Sequence, residues 1–155
     1  MNSNIKFSEN LIKGKVAEVI FEQMFRESGK FTILKSGYEY IFPELAQYKQ
    51  LPRVELMLQN IKDIPDFILI SDDKRKVYLV EVKYRTNLVN KEILKMAEKT
   101  LKAWNHSCLF VASPDGFYFG PCNTIVNNGG KIELFKWINN EIQNEYLKLL
   151  KKFEK

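Results

Sequence analysis

The sequence predicts an α/β fold, a central mixed sheet flanked by helices. Three observations predict it. Two apolar runs, residues 64–70 and 77–83, are joined by a short polar stretch and read as a β-hairpin. Residues 91–104 place Ile93, Leu94, Met96, Ala97, Leu101 and Trp104 at spacings of three and four, the period of an amphipathic helix. Another apolar run, 107–112, follows at once. Helices alternating with strands imply layers of helix packed on sheet.

Each element can be justified in order. Residues 9–28 form a helix, with Ser8 as N-cap and Gly29 as stop. Apolar residues cover most of its circumference, including Leu11, Ile12, Val16, Val19, Ile20, Phe21 and Phe25. Only Lys15, Glu18, Glu22 and Arg26 make a narrow polar stripe, so the helix is expected to pack on more than one side. Residues 31–35 are strand-like. Residues 38–42 are a second strand or a bent continuation, and 51–61 a short helix. The link 71–76 is a polar turn, and so short a link demands antiparallel pairing. Weaker strands are expected at 117–119 and 131–135, around the Asn127-Asn128-Gly129-Gly130 turn. A closing helix spans 138–153, with Ile142, Leu149, Leu150 and Phe153 on one side.

The 155 residues suit one domain, with a core at about 9–112 and a C-terminal extension at about 113–155. The net charge is +5. Residues 74–102 hold nine Lys or Arg against three acids, a local net of +6, which leaves −1 for the rest. A basic segment favours a polyanionic partner, although a solvated lysine face accounts for the charge equally well. Cys108 and Cys122 make no CxxC pair and suggest no disulfide framework, which fits a reducing compartment. Neither an apolar leader nor a run of membrane-spanning length is present, and the expected setting is cytoplasmic, with no membrane partner.

The chemistry lies in the hairpin. Asp66 stands at the start of its first strand, and Glu81 and Lys83 lie two apart on its second, so they share a face with Val82 on the other. The turn brings positions 66–68 opposite 79–83. Charge in an apolar strand is costly unless it is paired or holds a metal. Asp66, Glu81 and the main-chain carbonyl of Val82 would suit a hard divalent cation, and Lys83 would sit beside an activated water or a phosphate. The plainer reading is an Asp at a strand start and a self-satisfying Glu–Lys pair. An E-x-K triplet alone is common. Its setting among Val77, Leu79, Val80 and Val82 argues against a solvated edge strand.

With Pro65-Asp66, then Glu81-Val82-Lys83 after a short hairpin, the chain resembles the PD-(D/E)xK nuclease superfamily. That resemblance covers about two thirds of the chain, residues 9–112. It implies a restriction-endonuclease-like α-β-β-β-α-β core and metal-dependent hydrolysis of phosphodiester bonds. It also implies Asp66 and Glu81 as ligands of Mg²⁺ or Mn²⁺, and Lys83 as the catalytic lysine. Many members carry a supporting glutamate on the first helix. The segment Gly14-Lys15-Val16-Ala17-Glu18 is similar, which makes Glu18 a further catalytic and metal-supporting candidate and Glu22 its fallback; a surface ion pair with Lys15 explains Glu18 equally well.

For nucleic acid, DNA in preference to RNA, the candidate contacts are Lys91, Lys95, Lys99 and Lys102 on one helix stripe, with Arg85. Tyr84 is either a substrate contact or a core residue. Phe117, Tyr118 and Phe119 are better explained by edge-strand packing than by base stacking. His106 and Cys108 share a strand face but make a poor nucleophile–base pair, and one histidine disfavours a zinc site. Two other classes stand against the enzyme: a non-catalytic nucleic-acid-binding or protein-interaction module on the same fold, and a protein that forms a homodimer through its C-terminal helix.

Overall fold

The computed structural model describes residues 3–37 and 64–154. The expected strand at 38–42 and helix at 51–61 lie outside the described residues. The elements are α1 (Ser3–Ser28), β1 (Phe31–Lys35), β2 (Phe67–Ser71), β3 (Val77–Tyr84), α2 (Asn90–Ala103), β4 (Ser107–Ser113), β5 (Gly116–Pro121), α3 (Cys122–Asn127), β6 (Glu133–Leu134) and α4 (Asn140–Lys152). Among the described residues, the strands form one six-stranded sheet in the order β1-β2-β3-β4-β5-β6. Every neighbouring pair is antiparallel except β3 and β4, which are parallel. The sheet is therefore mixed and flanked by helices. The parallel pair is the one whose connection contains a helix, α2, because a short turn cannot return a chain to a parallel start.

Alternation along the strands assigns side chains to two faces. One face carries Phe67, Leu69, Val80, Val82, Phe110 and Phe117 into a core with Phe21, Met24 and Phe25 of α1 and Leu150 of α4. Aromatic rings dominate it: Phe21 lies 4.8 Å from Phe110 and 5.0 Å from Phe67. The other face carries Leu109 and Val111 against Ile93 and Ala97 of α2 and Ile125 of α3. β4 is buried along its whole length, as a central strand covered on both faces must be.

Several boundaries and faces differ from the sequence reading. α1 begins at Ser3, one and a half turns before Ser8. It packs on the sheet and on α4, yet Leu11, Ile12 and Val19 stay exposed. Leu149 and Phe153 are likewise exposed, although α4 buries Leu150. β5 is not an edge strand, since β6 pairs beyond it, but β6 is only two residues long. The short α3 had no counterpart in the sequence reading. Its end is tied by Asn128 and Gly130 main-chain N–H groups donating to Thr124 and Ile125. His106 lies before β4 with φ 68°, exposed, whereas Cys108 is buried, so the two do not share a strand face.

Candidate active site

The hairpin register builds the site. Phe67 pairs with Val80 and Leu69 with Tyr78, so Asp66, one step before β2, comes opposite Glu81. Asp66, Glu81 and Lys83 thereby project to one side of the sheet. At the far end of the hairpin, the Ser71 hydroxyl donates to Asp73 at 2.6 Å and the Arg75 N–H donates to the same carboxylate at 3.0 Å. These bonds hold the Asp73 carboxyl below its ordinary range and fix the turn that sets the register.

Asp66 is held by its side chain as well. The Val82 N–H donates to Asp66 Oδ2 at 2.9 Å. The N–H and C=O of one strand residue point to the same side. The Val82 carbonyl therefore also faces the start of β2, beside Asp66.

Three carboxyl groups run through this region as a chain with Asp66 in the middle. Asp66 is pushed up to about 8, first by burial and then by its hydrogen bond and charge repulsion with Glu81. Glu18 is pushed up to about 7, first by burial and then by the charge of Asp66; Lys15 opposes the rise. Two acids that share a hydrogen bond need a proton between them. Asp66 therefore interacts with a carboxyl on either side of it, Glu18 and Glu81.

A cavity of about 670 Å³ opens over this chain. α1 contributes Asn10, Leu11, Gly14, Lys15 and Glu18 to its wall. Asp66 and the run from Glu81 through Thr86 form its floor, and Glu92 of α2 closes one side. Lys15 reaches Glu18 at 3.2 Å, so the ion pair and the cavity position of Glu18 occur together. Glu22 serves another purpose: Arg26 bonds it at 2.8 Å and Lys35 approaches it at 3.4 Å. The fallback for Glu18 is thus engaged with two cations. Arg85 lines the cavity and approaches Glu92 at 3.9 Å. Tyr84 both lines the cavity and packs against the aromatic core.

The four lysines of α2 are placed elsewhere. Lys91, Lys95, Lys99 and Lys102 are exposed, and the residues lining the cavity do not include them. α2 starts near the cavity and runs away from it along the sheet face opposite α1. Lys15, by contrast, stands in the cavity wall and was read from the sequence only as a partner of Glu18. Its place on the polar stripe, three residues from Glu18, was the available signal.

The donor set suits a hard divalent cation: carboxylate oxygens and one main-chain carbonyl. Two of the acids have raised affinities for protons, chiefly because burial disfavours their charged form. Among the described residues, however, no three Asp, Glu, His or Cys side chains converge around one point as a finished metal cage. The acids form a hydrogen-bonded chain instead. Among the same residues, no helix is long and apolar enough to cross a membrane. Neither a scan of protein-family models nor a search of curated proteins returns a match.

Proposed function

We propose that the chain is a metal-dependent nuclease of the restriction-endonuclease-like type, hydrolysing phosphodiester bonds in DNA in preference to RNA. The observation that carries this reading is the register: Asp66 opposite Glu81, with Lys83 on the same side, all three in the wall of one cavity that Glu18 also lines. Asp66, Glu81 and the Val82 carbonyl would hold Mg²⁺ or Mn²⁺, with Glu18 in support. Such an ion, when bound, lowers the pKa of its water and offsets phosphate charge.

The remaining roles belong to the chain's own groups. Lys83 Nζ orients the attacking water and stabilises negative charge at the phosphate. Lys15 and Arg85 offer cations to flanking phosphates in the same cavity. Val82 N–H fixes the direction of the Asp66 carboxyl. Glu18 and Asp66, whose carboxyls burial pushes up to about 7 and about 8, would bind such an ion as carboxylates, so its binding would compete with protons.

A second reading, a non-catalytic nucleic-acid-binding or protein-interaction module, is favoured by one observation: Lys91, Lys95, Lys99 and Lys102 are exposed and stand outside the cavity that the acids line. One experiment separates the two. Duplex DNA, single-stranded DNA and RNA are incubated with the protein in Mg²⁺ or Mn²⁺. The enzyme reading expects cleavage that a chelator stops and that falls by roughly 10²-fold or more in Glu81→Ala and in Lys83→Ala. Cleavage that persists undiminished in both variants overturns the assignment. Salt-sensitive binding with no cleavage and no metal affinity favours the module.

A further inference from the structure

We infer that Ser36 is the positioning residue that holds Asp66 in place against Glu18 and Glu81. The inference rests on the nuclease reading and adds a residue to it. Ser36 follows β1 directly and is fully buried. Its hydroxyl donates to the Pro65 carbonyl at 2.7 Å, and its main-chain N–H donates to the Asp66 carbonyl at 2.9 Å. One serine therefore grips the carbonyls on both sides of the Asp66 Cα, across 29 residues of sequence.

The grip has a fixed base. Lys35, the preceding residue, approaches Glu22 of α1 at 3.4 Å. Glu22 lies one helical turn after Glu18. The same short stretch of chain thus ties Asp66 to the helix that carries Glu18. With the Val82 N–H on its side chain, Asp66 is held at three points, two of them from Ser36. Asp66 lies one step beyond the last β1–β2 and β2–β3 pairs; the Ser36 N–H extends the β1–β2 ladder to it, and the Ser36 hydroxyl adds a bond that no ladder supplies. A carboxylate loosened by even a fraction of an ångström would bind an ion less well and align the reaction less well.

The test measures Mn²⁺ affinity by calorimetry, together with kcat and KM on DNA. Ser36→Ala is expected to weaken Mn²⁺ binding about 10-fold and to lower kcat with KM nearly unchanged, while Ser36→Thr, which keeps the hydroxyl, stays closer to the parent. Gln143→Met serves as a control for loss of buried hydrogen bonds. It removes bonds to Phe135 and Ile138 and should leave Mn²⁺ affinity intact. If Ser36→Ala does not fold, amide exchange on the unaltered protein still decides: Mg²⁺ should slow exchange at Ser36 together with Val82. Parent-like Mn²⁺ affinity in Ser36→Ala, or slowing at Val82 alone, overturns the inference. A parent protein that binds no Mn²⁺ overturns the nuclease reading instead.

Discussion

Asp66 and Glu18 set the behaviour of the site at the scale of single residues. Their carboxyls are pushed up to about 8 and about 7 from ordinary values of 3.8 and 4.5. The folded protein keeps protons that the unfolded chain has released, so stability is greatest below about pH 4 as far as these groups are concerned. It falls as pH rises through about 7 and 8, and the loss is complete only above the folded value of Asp66. In chelator, the unfolding temperature should therefore decline between pH 5 and 8.5. Asp66→Asn should flatten the decline and raise the unfolding temperature by several degrees at pH 8.5, at about 2–4 °C per kcal/mol for a chain of this size. A variant that is less stable than the parent at pH 8.5, as judged by thermal melts, contradicts a buried Asp66 carboxyl that resists ionisation. The same reasoning accounts for what could be read in advance. Asp66, Glu81 and Lys83 were legible because a period of two and a six-residue link leave few registers. Ser36 was not, because a lone serine carries no spacing signal and its partners are 29 residues away.

At the scale of elements, two features position the cavity. Phe21 of α1 is fully buried among Phe25, Phe67 and Phe110, which docks the helix carrying Glu18 on the strands carrying Asp66. Phe21→Ala should cost about 3–5 kcal/mol in denaturant unfolding; a loss under 1 kcal/mol would mean that this contact does not anchor α1. Gly130 has φ 96°, and a Cβ there would overlap the Asn90 carbonyl at the start of α2. Gly130→Ala should therefore destabilise by more than about 1 kcal/mol through backbone strain and collision, read by the same unfolding assay. The helices and strands with full periodicity, α1, α2 and β2 to β4, were visible in the sequence. α3 was not, since six residues are too short to show a helical period. α1 packs on more than one side, as its composition implied, meeting the sheet and α4; which of its apolar residues stay exposed was not legible, because burial depends on what a face meets.

At the scale of the whole molecule, two groups of charge stand apart among the described residues. Glu18, Asp66, Glu81 and Lys83 line the cavity, while the exposed lysines of α2 lie outside it. If the chain acts on DNA, these lysines meet flanking phosphates and not the one being cut. Replacing Lys95, Lys99 and Lys102 by Gln should weaken DNA binding and reduce its dependence on log salt by up to about three, with kcat nearly unchanged. Binding and salt slope equal to the parent's, in a salt series followed by fluorescence anisotropy, would make the stripe a solvated face. The central claim, that the Glu18–Asp66–Glu81 chain is a divalent-metal site, is tested most directly by Mn²⁺ calorimetry at pH 7.5 in two buffers of different ionisation enthalpy. The account predicts binding with net release of about one proton or more per ion, because Asp66 and part of Glu18 are protonated there. It also predicts that Glu81→Ala abolishes the binding. No binding, or binding without proton release that survives Glu81→Ala, would contradict it.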